Sequence, residues 1–214
     1  MSEFRTLTIV NHPLIQHKLT RMRETSCPTG EFRRLLTEIS LLMGYEVTRD
    51  LPLTSREVTT PLTSFEAPTL AERTLAIVPV LRAGLGMVDG LVDLMPDAVI
   101  AHIGLARDEE TKQPMEYLVK LPPADIKRCI VVDPMLATGN SAAHAVSVLK
   151  DQGGFAGDRL CLMTLVAAPE GVEQFYSIHP DVAVFTAGLD DRLNEDAYIV
   201  PGLGDAGDRL FGTL

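Results

Sequence analysis

The chain has 214 residues, 46% of them hydrophobic and 22% charged, which excludes a disordered or low-complexity polypeptide and suits one globular core with an appended arm. Nineteen basic residues face 29 acidic ones, a formal charge of -10 that argues against nucleic acid as a partner and leaves any phosphate ligand to a few arginines and oriented backbone N–H groups. No apolar run reaches the ~20 residues of a membrane span, and the N-terminus MSEFRTLTIVNHP lacks a basic stretch followed by an apolar block, so the expectation is a cytoplasmic protein without a membrane partner.

Helical spacing comes first along the chain. Residues 13–24 form one candidate and residues 29–48 a stronger one, with Phe32, Leu35, Leu36, Ile39, Leu42 and Met43 recurring near every 3.6 positions. Residues 49–70 are rich in Thr and Pro, hold strand-length pieces at most, and read as an irregular arm or hairpin leaving the main body. From residue 74 the texture changes to short apolar runs at 74–80, 98–103, 129–132, 159–167 and 182–186, nearly continuous as in strands covered on both faces. Helices fit between them at 85–94, 141–152 and 170–178, the last opened by Pro169. The fold class is therefore α/β, a mostly parallel sheet flanked by helices. Residues 104–121 are charged and helix-poor and suit a hairpin flap. Cys27, Cys129 and Cys161 cannot all pair, and the last two lie in strand-like runs, as buried reduced thiols do. The histidines show no metal-ligand spacing, and no protein-held metal is expected.

The strongest motif is VVDPMLATGNSA, a strand delivering Asp133 into a loop that ends at a helix N-terminus. Ala137, Thr138, Gly139, Asn140 and Ser141 would present successive backbone N–H groups and two hydroxyls at the positive end of a helix dipole, an anion cradle that needs no lysine. Asp133, acceptor-only once ionised, suits sugar hydroxyls. The competing reading is a plain strand-to-helix connection with Ser141 as N-cap. A P-loop is excluded because Asn140 stands where lysine is required, and a GxSxG hydrolase elbow fails at Ala143. A second loop, VPVLRAGLGMVDG, also follows a strand; Gly84 and Gly86 permit close backbone approach and Arg82 supplies a planar cation. Gly202, Gly204 and Gly207 match GxGxxG but lie too near the C-terminus for a dinucleotide-binding unit, so a glycine-rich surface turn is the bland alternative there.

Taken together, VPVLRAGLGMVDG, VVDPMLATGNSA and YIVPGLGDAGDRLFGT, with His12-Pro13-Leu14, the flap residues Arg107 to Thr111 and LVAAPEG, resemble the uracil phosphoribosyltransferases, a branch of the type I phosphoribosyltransferase family. The resemblance implies one phosphoribosyltransferase domain over 1–214: N-terminal helices and arm to residue 72, a core over 73–186 with the flap at 104–121, and a base-binding segment over 187–214. It implies conversion of uracil and 5-phospho-α-D-ribose 1-diphosphate (PRPP) to UMP and diphosphate, with Mg2+ arriving on the donor rather than in a protein cage.

By the same resemblance, Asp133, Pro134, Met135, Leu136 and the cradle residues Ala137, Thr138, Gly139, Asn140 and Ser141 would bind the donor's ribose 5-phosphate. Arg82 and Arg107 would meet the diphosphate, and Ile199, Gly204, Asp205 and Ala206 would hold uracil, Asp205 also lying near the donor. Arg107, Asp133 and Asp205 would be catalytic. A homodimer or larger even-numbered assembly and a GTP effector belong to the same implication. Two positions depart from the family pattern: Ala106 precedes Arg107 where a tyrosine is common, and Asn140 replaces a second glycine of the cradle. A nucleotide-sensing protein of the same fold, without turnover, is the rival from another class.

Overall fold

The apolar runs of the chain's second half lack polar alternation because their strands are covered on both faces. The computed structural model describes residues 6–71, 74–107 and 114–213. Its elements are β1 (Leu7–Ile9), α1 (Pro13–Arg23), α2 (Thr29–Val47), β2 (Thr54–Thr59), β3 (Ser64–Thr69), β4 (Leu75–Leu81), α3 (Leu85–Leu94), β5 (Val99–Ile100), β6 (His102–Arg107) and β7 (Pro114–Lys120). There follow β8 (Arg128–Val132), β9 (Met135–Leu136), α4 (Asn140–Asp151), β10 (Leu160–Ala167), α5 (Pro169–Ile178), β11 (Ala183–Leu189), β12 (Arg192–Leu193), β13 (Ile199–Val200) and α6 (Ala206–Phe211). The main sheet has the order β1-β11-β10-β8-β4-β6-β7, with β5 beside β4 and β9 beside β10. Its strands pair in parallel, except that β7 returns antiparallel along β6.

Side chains along each central strand alternate between two apolar layers, as the two-residue strand period requires. Leu75 and Ile77 of β4, Ile130 of β8 and Met163 of β10 join the layer closed by α1, α2 and α3. Ala76, Val78, Val131 and Leu162 join the layer closed by α4 and α5. In α2 the spaced apolar residues become a buried stripe of Phe32, Leu35, Leu36, Ile39, Met43 and Val47. Each such side chain contributes about 1.5–3 kcal/mol on burial.

Topology then fixes where a ligand can enter. From β4 the chain crosses through α3 to β6 on one side, whereas from β8 it crosses through α4 to β10 on the other. Right-handed crossovers running in opposite directions put α3 and α4 on opposite faces, which is where the two layers place them. The carboxyl ends of β4 and β8 therefore diverge around a crevice, the usual ligand position in an open α/β sheet. Arg82 follows one strand and Asp133 the other.

Three segments take a form that the sequence left open or read differently. The run 98–103 is interrupted at Ala101, whose N–H donates to the Ile77 carbonyl at 3.0 Å, so β5 and β6 are separate strands in one place beside β4. The arm is a regular hairpin, paired without a shift from Thr54↔Thr69 to Thr59↔Ser64. Leu62 at its turn is 95% exposed, while Leu51 at its base packs on the first layer. The C-terminal glycine-rich segment is no mere turn: it carries β13 and then α6, ended by Gly212 at φ 71. Cys129 and Cys161 are buried and unpaired, and burial pushes both thiols up to about 12, where they stay protonated. Among the described residues no helix is long and apolar enough to cross a membrane.

Candidate active site

A cavity of about 490 Å³ opens at the crevice between β4 and β8. Arg82 and Ala83 form one wall, Asp133, Met135, Ala137, Thr138, Asn140 and Ser141 a second, and Leu105 with Ala106 of the flap strand a third. The fourth comes from the C-terminal segment: Asp196, Ala197, Tyr198 and Ile199, then Gly204, Asp205, Ala206 and Gly207.

The second wall explains why seven residues separate β8 from α4. After Asp133 the chain re-enters the sheet as β9, Met135 and Leu136 pairing with Val166 and Ala167. The Pro134 carbonyl accepts the Leu165 and Val166 N–H groups at 3.1 Å. Only then does the cradle turn into α4, with Gly139 as N-cap at φ 81. A Cβ on Gly139 would lie 2.6 Å from the Gly171 carbonyl oxygen, and one on Gly171 would lie 2.2 Å from that of Ala137. The cradle is thus seated on the first turn of α5 through two glycines, with the α4 N-terminus turned to the cavity. Gly84 serves the same end in the first wall: a Cβ there would meet the Val132 carbonyl at 2.4 Å. These glycines admit the close approach of the protein's own backbone.

Asp133 is half-buried, and burial pushes its carboxyl from the ordinary 3.8 up to about 7, while the Met135 N–H, donating to it at 3.3 Å, pulls the other way. Arg82 is exposed at the cavity rim, its guanidinium 5.6 Å from the Phe211 ring of α6, after a cis peptide bond from Leu81. Asp205 caps α6 by accepting the Asp208 N–H at 2.9 Å, so one side chain both starts the helix and lines the cavity. Asn194 shapes the turn between β12 and β13 by accepting the Asp196 and Tyr198 N–H groups, and Ala197 takes a left-handed φ of 63.

The cavity brings together most of the residues singled out in the sequence: Arg82, Asp133, Met135, Ala137, Thr138, Asn140, Ser141, Ile199, Gly204, Asp205 and Ala206. Pro134, Leu136 and Gly139 do not line it. Pro134 and Leu136 are buried in the sheet and Gly139 against α5, so they support the cradle from behind. Arg107 ends β6, but its side chain and residues 108–113, including the flap residues Asp108 to Thr111, lie outside the described residues. Sequence reasoning missed Tyr198, although an aromatic ring just before a short apolar pair was a visible signal. It also missed Arg23 and Asp190, which hold the fourth wall from outside and belong to no local motif.

Comparison with known proteins agrees with this geometry. The family described as uracil phosphoribosyltransferase matches residues 9–213. The uracil phosphoribosyltransferase of Rhodospirillum centenum is 61% identical over 211 residues, covering 99% of this chain and 97% of its own. That of Ralstonia pickettii is 59% identical over 210 residues, covering 98% and 96%. Among solved structures, the AQ2163 protein from Aquifex aeolicus superposes with a TM-score of 0.87 at 34% identity over 96% of this chain and 97% of that one. APRTase from Giardia lamblia complexed with 9-deazaadenine, at 12% identity, TM-score 0.50 and coverage of 73% and 80%, shares the fold alone.

Proposed function

The chain belongs to the uracil phosphoribosyltransferase family, and on that premise we propose that its cavity transfers the phosphoribosyl group of PRPP to uracil, giving UMP and diphosphate. One observation carries the assignment of roles: a backbone cradle at the start of α4, Asp133 at the end of β8, and a glycine-rich C-terminal wall all line the same cavity. Residues 137–141 take the 5-phosphate on their N–H groups and the hydroxyls of Thr138 and Ser141. The ionised Asp133 accepts from the ribose hydroxyls. Arg82 and Arg107 meet the diphosphate. Uracil offers one imide N–H between two carbonyls, which backbone groups of Ile199, Gly204 and Ala206 can read without a charged side chain.

In the reaction the uracil N1–C1′ bond forms, the bond from C1′ to the diphosphate oxygen breaks, and the N1 proton is released. Positive charge grows on the ribose and negative charge on the leaving group, as in glycosyl transfer generally. Asp205 and Asp133 stabilise the first, and the arginines stabilise the second. A flap closing from β6 and β7 would exclude the water that hydrolyses PRPP. Mg2+ bound to the diphosphate would neutralise the departing charge, with Asp205 as this chain's carboxylate for it; among the described residues no three His, Cys, Asp or Glu converge to hold a metal themselves.

The proposal extends to one domain over 1–214 working in the cytoplasm as a homodimer or larger even-numbered assembly. What supports assembly is the hairpin of β2 and β3, which pairs only with itself among the described residues and exposes Leu53, Leu62, Phe65 and Leu70. A GTP effector rests on the family resemblance alone. The test is PRPP-dependent UMP formation, with cytosine and hypoxanthine as parallel acceptors: UMP from uracil alone is expected, and absence of turnover from a folded chain that binds UMP would favour the sensor. Light scattering should give a mass of two chains or an even multiple, and a fully active monomer would remove the arm from any interface.

A further inference from the structure

The C-terminal wall is held in place from outside the cavity. Arg23, the last residue of α1, donates through Nη1 and Nη2 to the two carboxylate oxygens of Asp190 at 2.7 and 2.6 Å. Its Nη1 also donates to the Gly202 carbonyl at 2.6 Å. Asp190 follows β11 and is 8% exposed; its Oδ2 accepts the Gly202 N–H at 2.9 Å. A single ion pair thus takes up both backbone polar groups of one residue. That residue is Gly202, left-handed at φ 57 and folded so tightly that a Cβ would stand 2.0 Å from the Ile199 carbonyl oxygen. Wherever Gly202 is pinned, the backbone of Ile199 on one side and Gly204 on the other is pinned with it.

Neither Arg23 nor Asp190 lines the cavity. For stability alone, a partly buried ion pair such as this one has little advantage over an apolar pair of the same volume. Its advantage is direction, because the planar guanidinium fork accepts only one arrangement of its partners. We propose that Arg23 and Asp190 are positioning residues for base recognition: by fixing both polar groups of Gly202 they set the angles at which the backbone of residues 199–206 meets the imide edge of uracil. The inference rests on reading that segment as the base-binding wall. It makes the α1 end, 179 residues from Gly202 in sequence, part of the selectivity apparatus.

The test uses the full chain with Arg23→Lys, which keeps the charge but loses the fork, and Asp190→Asn, which keeps an acceptor for the Gly202 N–H but loses the charge. For each, thermal melting is measured beside calorimetric binding of UMP and of PRPP, and steady-state constants for uracil and cytosine. Positioning predicts a uracil KM and a UMP dissociation constant raised on the order of tenfold, the scale of one well-aligned charged hydrogen bond. It also predicts PRPP binding at wild-type affinity and stoichiometry, and a smaller preference for uracil over cytosine. A lower melting temperature with all ligand constants unchanged, or equal losses for UMP and PRPP, would overturn the inference and leave the pair a structural staple. A wild-type chain that bound PRPP but not UMP would overturn the reading of the C-terminal wall, and this proposal with it.

Discussion

The two principal walls of the cavity are built by opposite strategies. The cradle is contiguous in sequence and is held by its own sheet and by the next helix, through β9 on β10 and Gly139 on Gly171. The C-terminal wall makes few sheet contacts of its own and is fastened by arginines: Arg23 to the Gly202 carbonyl, Arg33 to that of Leu210 at 2.6 Å, and Arg209 back to that of Glu24 at 2.7 Å. A phosphate needs only a cluster of N–H groups, which a strand, a turn and a helix start supply locally. A planar base needs donors and acceptors at set angles, and in the reading proposed above this chain sets them by bonds reaching back to its N-terminal helices.

That contrast predicts where substitutions act. The largest effect should come from Gly139→Val. The added side chain points at the Gly171 carbonyl, 2.6 Å from its Cβ, and must adopt φ 81. Left-handed strain alone is worth about 1–3 kcal/mol, and the overlap with α5 adds to it. Urea unfolding should therefore show a large loss of stability, with uracil and PRPP binding falling together as folded protein is lost. A stable variant that lost only PRPP binding would show that the glycine faces the phosphate and not α5.

Asp205→Ala comes next. Losing the cap on the Asp208 N–H should lower stability by about 1 kcal/mol, whereas losing a carboxylate placed at the developing charge should lower kcat on the order of 100-fold. Turnover near wild type in a folded variant would take Asp205 out of the chemistry and leave it a helix cap.

The same contrast explains what could be read in advance. The parallel sheet, the five long helices, the cradle loop and Asp133 were legible because each is announced within a dozen residues by period, glycine or strand-end carboxylate, whereas Asp205 was singled out only through the family resemblance. β9 was not, because Met135 and Leu136 form a strand only by meeting Val166 and Ala167. Nor was α6, whose six residues are too short and too glycine-rich to show a helical period. The roles of Arg23 and Asp190 were invisible for a related reason: each sits at the end of an ordinary element, and their meeting across 167 positions is a product of the fold. Glycines were instructive in another way. They signalled close approach, and at Gly84 and Gly139 the chain's own backbone comes close.

A pH dependence of intermediate size follows from Asp133. Burial holds its carboxyl up to about 7, so the free protein binds this proton over a range where the unfolded chain, at the ordinary 3.8, has released it. This group therefore subtracts stability progressively as pH rises from about 4 to about 7, and nothing further above that. Ribose hydroxyls donate best to the ionised form, so PRPP affinity should move the other way: level above about pH 7.5 and falling toward about tenfold per unit below 7. Calorimetric titrations at pH 6 and pH 8 measure it, and Asp133→Asn should flatten the difference. A wild-type affinity independent of pH would mean that Asp133 does not contact the donor as an anion.

The smallest effect should be that of Gly204→Ala, and it sharpens the comparison because Gly204 shares with Gly139 a left-handed backbone, at φ 79, but not the crowding. A Cβ on Gly204 would meet only the Arg209 Cδ, at 3.9 Å. With no neighbour to displace, the stability loss should be limited to the backbone preference, about 1 kcal/mol. The methyl group would stand on the cavity wall proposed to read uracil, so uracil KM should rise a few-fold, a change of about 1 kcal/mol at that surface, with PRPP binding untouched. Gly204→Asn should recover most of the lost stability, since asparagine tolerates the left-handed region, but not the uracil affinity, because its side chain is larger. Gly139→Ala supplies the matched control: the same φ region and the same added methyl group, but packed against α5. If the two alanine variants lost equal stability, the crowding at the cradle would count for nothing and the two walls would not differ in how they are held. If Gly204→Ala weakened PRPP as much as uracil, Gly204 itself would be serving the donor as well as the base.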